Sequence, residues 1–255
     1  GPIKVHDLGA STSVRCVNPQ GTMWAGDTGG EAAVWHGTPG DATVSKLGLG
    51  HVLAMSGKQL GGQSQYRHAM LWNDATEEGF VDVSVRRARL ANVRGTIGSS
   101  QVGSTTVGRL SARNYGVIWH GSAAYGYFAS LKGVGSHNGV AFTCVEGRGN
   151  DAAIGGYVKT KGGTHAVLGI GNVDLAPTGP NPKGNDISYY DGITWFNMNP
   201  ESANVSVIKS VSGGRQVGHA SFGGAKHAVL WNGTAKSVVN LHSILLQSGD
   251  DWETS

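Results

Sequence analysis

Charge, aromatic residues, cysteine and long apolar runs are all scarce in this sequence. Asp, Glu, Lys and Arg together make up 15% of the chain, and the formal net charge is only +3. No run of Lys or Arg exceeds the pair Arg86-Arg87, so the electrostatic footprint expected for nucleic-acid binding is missing. No apolar stretch approaches the roughly 20 residues of a membrane-spanning helix, and no membrane insertion is expected. The two cysteines, Cys16 and Cys144, suit neither a disulfide scaffold nor a zinc site. Aromatics are 7% of the residues, whereas Gly reaches 42 of 255, without the strict three-residue period of collagen. Such a chain uses its glycines in turns, and many turns imply many short strands.

A repeat carries that implication further. Near the C-terminus the chain reads Gln216-Val-Gly218, then His227-Ala-Val-Leu-Trp231-Asn-Gly233, then Val238-Val-Asn-Leu241. The same features recur at Gln59-Leu-Gly61, His68-Ala-Met-Leu-Trp72-Asn-Asp74 and Phe80-Val-Asp-Val83. They recur again at Gln101-Val-Gly103, Tyr115-Gly-Val-Ile-Trp119-His-Gly121 and Phe128-Ala-Ser-Leu131. A first copy runs through Met23-Trp-Ala-Gly26, Ala32-Ala-Val-Trp35-His-Gly37 and Val44-Ser-Lys-Leu47. The fourth copy, Ala153-Ile-Gly155, His165-Ala-Val-Leu-Gly169 and Val173-Asp-Leu175, has Gly in place of the tryptophan. Each copy is preceded by a further apolar run, such as Ser13-Val-Arg-Cys-Val17 or Val205-Ser-Val-Ile-Lys-Ser-Val211. Four short runs rich in Val, Leu, Ile and Trp, separated by Gly, Asn, Asp or Ser, read as four antiparallel strands.

Five such units of about 50 residues predict an all-β chain, a five-bladed β-propeller of four-stranded antiparallel blades. The segment Val5-His-Asp-Leu8 matches the last strand of the unit, and is expected to close the ring from the N-terminus. The expected domain covers residues 3–248, with residues 1–2 as a cloning scar and 249–255 as a tail. Cys16 and Cys144 fall on the same strand of units one and four, which are not neighbours in a ring of five. They are expected to be unbonded core residues.

The trios His68-Ala69-Met70, His165-Ala166-Val167 and His227-Ala228-Val229 resemble the HAF repeat, a bacterial repeat named for His-Ala-Phe. Here Met or Val stands in the third position, and the first and third units lack the His. The resemblance implies an extracellular or cell-surface location and supplies no catalytic residues.

Repeated tryptophans are expected to fill the space between packed sheets. The repeated histidines are expected to bond backbone at strand starts and not to converge on a metal. The break in the repeat is more informative. Residues 176–204 form an insertion between units four and five, opening with Pro177-Thr-Gly-Pro-Asn-Pro-Lys-Gly184 and continuing to Tyr189, Tyr190, Asp191, Trp195 and Phe196. Aromatics beside an acid on a loop can build a carbohydrate or peptide site, or can form a lid that plugs the fold. The candidate ligand-binding residues are therefore Tyr189, Tyr190, Asp191 and Trp195, with Trp24 as a further one outside the repeated positions.

No catalytic residues and no cofactor are expected. Glycoside hydrolysis needs two convergent carboxylates, and no pair among Asp27, Asp74, Glu146, Asp151, Asp186 and Asp191 can be placed at catalytic separation from sequence. The expected function is a non-enzymatic recognition module of a secreted or surface protein, lectin-like and monomeric, with a glycan or a surface protein as partner. A protein-interaction scaffold and a glycoside hydrolase are the alternatives.

Overall fold

Alternating apolar residues between Gly-rich turns place successive side chains on opposite faces of an extended chain, and the repeated runs do form strands. The computed structural model describes residues 10–38, 41–76, 78–108, 113–147, 149–174 and 189–247. The expected ring-closing strand at 5–8, the loop 177–184, the scar and the tail all lie outside the described residues.

The first unit is the meander β1 (Thr12–Val17), β2 (Met23–Thr28), β3 (Glu31–His36) and β4 (Thr43–Ser56). The second continues from β4 through β5 (Gln59–Ser64), β6 (Ala69–Trp72) and β7 (Phe80–Asp82). The third comprises β8 (Ala88–Ile97), β9 (Ser100–Val107), β10 (Arg113–Trp119) and β11 (Tyr127–Ala129). The fourth has β12 (Gly139–Glu146), β13 (Ala152–Thr160), β14 (Gly163–Gly171), the short β15 (Tyr189–Tyr190) and β16 (Ile193–Asn197). The fifth has β17 (Ala203–Ser212), β18 (Arg215–Phe222), β19 (Ala225–Trp231) and β20 (Val239–Asn240), followed by the helix α1 (Leu241–Gln247).

The closed five-bladed propeller expected from the repeat is not formed. The strands belong to two sheets, one of seven strands from β1 to β7 and one of thirteen, and neither closes on itself. The reason lies in how the units join. β4 pairs with β3 through Thr43–Leu49 and with β5 through Gly50–Ser56, so one uninterrupted strand serves two units. Gly48 and Gly50, at φ of 90° and 146°, carry it from one partner to the other in conformations that a side chain would oppose. Units three to five are joined edge to edge by parallel pairing of Asn114 with Gly139 and of Thr164 with Val205.

Within every unit the same irregularity recurs. The register between first and second strands slips at Val14/Cys16, Val52/Ala54, Val93/Gly95, Phe142/Cys144 and Ile208/Ser210, at a matching place in each unit, and units three and five carry a second slip at Ala88/Leu90 and Ala203/Val205. Opposite each of the five matching bulges stands a glycine: Gly26, Gly62, Gly103, Gly156 or Gly218. A Cβ on any of these would collide with a backbone carbonyl oxygen of the first strand, that of Ser13, His51, Asn92, Ala141 or Val207 respectively. The register thereby corrects the sequence alignment in two units, where the equivalent glycines are Gly62 and Gly156 and not Gly61 and Gly155. It also places Trp24 opposite Trp35, at the position that Gln101 and Gln216 hold opposite Trp119 and Trp231. Trp24 thus occupies a repeated position. Gln101 and Gln216 accept the N–H of Gly121 at 2.9 Å and of Gly233 at 3.0 Å, clamping the turn that follows each tryptophan.

The repeated Trp35, Trp72, Trp119 and Trp231 are buried, as packing requires. Unit four solves the loss of its tryptophan by another route. The strand that pairs with β14 on that side is β16, inside the expected insertion, while Val173 and Asp174 of the expected fourth strand lie in a bend. Gly169 pairs there with Trp195, and a Cβ on Gly169 would come within 2.6 Å of the indole. The ring has moved across one strand into the space that glycine leaves free.

Candidate functional site

The five residues picked out by sequence are not brought together. Trp24 is half-buried in the seven-stranded sheet, whereas Tyr189, Tyr190 and Trp195 lie on strands of the thirteen-stranded one and Asp191 lies between β15 and β16. Trp195 is 5% exposed and stacks on Phe142 with ring centres 5.0 Å apart and planes 6° apart. Tyr190 is 7% exposed, and its hydroxyl donates to the carbonyl of Asn172. Burial, with Asp174 nearby, raises the Tyr190 phenol above its ordinary range. Neither ring has a free face to offer a ligand.

Tyr189 and Asp191 are exposed. Tyr189 sits beside Phe128, which contacts Tyr115 at 4.8 Å, and it lines a cavity of about 150 Å³ with Arg113 and His137. Asp191 pairs with Lys132 at 2.8 Å, and hydrogen bonds from Lys132 and Ser130 hold its carboxyl below the usual range. Phe196, also from the insertion, borders a cleft of about 510 Å³ with Thr194 and Asn150.

A different cleft gathers more ligand-binding chemistry. It lies where β4 passes from the first unit to the second and has a volume of about 540 Å³. That size falls within the range of small-molecule sites. Tyr66 projects from the β5–β6 turn and is 74% exposed, Phe80 on β7 is 54% exposed, and Leu49 on β4 is 52% exposed. The turn is held by Arg67 N–H donating to Ser64 O at 3.0 Å and by Gln65 N–H donating to Leu49 O at 3.2 Å. Arg67 adopts a φ of 68°, unusual for a residue with a side chain, to make that turn.

Polar groups converge on the same cleft. His68 Nδ1 lies 2.6 Å from Asp82 Oδ2, and Asp82 also accepts the Ser84 N–H at 2.8 Å. Desolvation raises the Asp82 carboxyl, but hydrogen bonds from Ser84 and His68 outweigh it and the net shift is downward. Because the folded-state value is the lower one, this pairing stabilises the fold above the usual carboxylate range and is lost as pH falls through it. Glu31, which also lines the cleft, is paired with Lys46.

Sequence reasoning missed this site because Tyr66 sits in a turn, the class of segment read there only as punctuation. The available signal was that no other unit carries an aromatic residue at the matching turn: the β18–β19 turn is Gly223-Gly224 and the β13–β14 turn is Lys161-Gly162.

Both cysteines are free thiols. Burial pushes Cys16 up to about 12 and Cys144 up to about 11. Because the thiolate is the reactive form, neither should be alkylated by iodoacetamide at pH 8 in the folded protein, while both should react in denaturant. Mass spectrometry of labelled native protein checks this, and rapid labelling would contradict the packing described.

Among the described residues no helix is long and apolar enough to cross a membrane. No family model matches the chain. No curated protein is significantly similar to it. The resemblance to the HAF repeat rests on its short motifs alone.

Proposed function

We propose that the chain is a non-enzymatic recognition module of a secreted or surface-exposed protein, and that it binds carbohydrate in the cleft between its first two units. The observation that carries this reading is the exposure of Tyr66 and Phe80 beside the hydrogen-bonded His68–Asp82 pair. Sugar rings have apolar faces that stack on aromatic rings and hydroxyls that need directed partners, and the cleft supplies both kinds of group. Isolated exposed rings are ordinary, but several around one concavity mark an interaction site.

Binding is favoured over hydrolysis by the state of the two carboxylates there. A glycosidase needs one carboxyl that holds its proton near neutral pH. Asp82 is shifted the other way, and Glu31 is ion-paired with Lys46. Tyr189 contributes at most to a secondary contact, since its cavity is the smaller one.

A glycan array probed with labelled protein tests the reading, with Tyr66→Ala and Tyr189→Ala alongside. A hit lost in Tyr66→Ala and retained in Tyr189→Ala is expected. A hit lost only in Tyr189→Ala would move the site to the insertion, and a blank array would favour a protein partner.

A further inference from the structure

Each of the five bulges that face a glycine leaves one residue of the first strand unpaired: Arg15, Leu53, Arg94, Thr143 and Lys209. Three of the five are cations. The strands that carry the last three pack in series. A Cβ on Gly95 of β8 would meet Val145 of β12 at 2.9 Å, and Thr143 Oγ1 of β12 donates to the carbonyl of Ile208 on β17 at 2.6 Å. Arg94 and Lys209 are thereby brought into one neighbourhood on either side of Thr143. His219 on β18 and Lys226 on β19 share it. His219 pairs with Ala228, and Lys226 precedes Ala228 by two residues, so both project from the same face of the sheet.

A few other cations of the fold are neutralised by a carboxylate. Arg15 pairs with Asp27 at 2.9 Å, and Lys132 with Asp191 at 2.8 Å. Arg94, Lys209 and Lys226 form no ion pair among the described residues. Arg94 instead donates its Nε–H to Asn92 Oδ1 at 3.1 Å, which orients the guanidinium and leaves its two Nη groups for a planar, two-point contact. The crowding has a measurable signature. Burial, Arg94 and Lys226 hold the Lys209 ammonium below the usual lysine range. Burial, Lys226 and Lys209 do the same to His219. Like charges held together without a carboxylate oppose folding, and an anion between them removes the penalty.

We propose that Arg94, Lys209, His219 and Lys226 form a binding site for a phosphate- or sulfate-type oxyanion. The site is separate from the Tyr66 cleft, and Tyr66→Ala should leave it intact.

The test is thermal denaturation of the wild-type protein in inorganic phosphate, in inorganic sulfate and in chloride at matched ionic strength. With phosphate about tenfold above its Kd, the melting temperature should rise about 4 °C beyond the chloride value. The double variant Lys209→Gln, Lys226→Gln should melt no lower than wild type in chloride, since repulsion is relieved, and should lose the response. A sulfated disaccharide forms a further arm. Tighter binding than inorganic sulfate, with the same dependence on Lys209, would identify the oxyanion as part of a glycan, and equal binding would identify it as a free ion. A phosphate effect no larger than that of chloride, or an undiminished response in the double variant, would overturn the proposal.

Discussion

Replacing Trp195 with alanine should lower the melting temperature by about 10 °C, through a loss of about 4 kcal/mol. The indole is 5% exposed, stacks on Phe142 and occupies the space above Gly169. Its removal leaves a cavity bounded by sheet backbone that cannot collapse to fill it. The two readings of Trp195 separate cleanly here. A ring held out for stacking on a ligand could be removed with little effect on melting, whereas a ring that replaces the missing tryptophan of unit four could not. Trp195→Phe should cost much less. It keeps an aromatic ring in place and removes an indole N–H that is buried without an acceptor. Thermal melts of both variants check the pair of expectations, and an unchanged melting temperature for Trp195→Ala would contradict the packing account.

Gly103→Ala should cost about 3 kcal/mol, although it adds a single methyl group to a strand. The new Cβ would be driven into the carbonyl oxygen of Asn92, and Trp119 closes the other side at 3.2 Å. The bulge at Val93/Gly95 turns that carbonyl toward the glycine, so relief requires moving backbone. Gly162→Ala is the control, because its nearest neighbour would be the Thr160 hydroxyl at 3.8 Å. That change should stay within about 0.5 kcal/mol. Denaturant titration of both distinguishes a glycine required by contact from one serving in an open turn. Equal stability of the two variants would show that the bulge does not demand glycine.

The four-run repeat was legible because alternation of apolar residues and Gly-rich turns are local properties, visible without knowing the partners of any strand. What was not legible depended on partners. Whether five meanders close into a ring is decided by edges, and the continuous β4 and the Asn114–Gly139 pairing leave no mark in composition. The aromatic cluster of the insertion was read as a candidate site, yet Gly169 already held the clue that a ring was missing from unit four and had to come from elsewhere. The alignment slipped at Gly61 and Gly155 because each of those glycines adjoins a second one, and only the bulge shows which of the two faces a carbonyl. The bulge cations left a faint trace. Arg15 and Lys209 interrupt apolar runs at matching places, and such an interruption is the sign of an extra residue in a strand. Tyr66 could have been found as the aromatic turn residue that the other units do not match.

The most direct measurement of the central claim is a calorimetric titration of the sugar selected on the array into wild-type protein and Tyr66→Ala, with the melting temperature of each recorded. The account predicts saturable binding to the wild type, affinity weakened about thirtyfold in Tyr66→Ala, and coincident melting curves. Unchanged affinity in Tyr66→Ala, at equal stability, would contradict the assignment of the cleft between the first two units as the site.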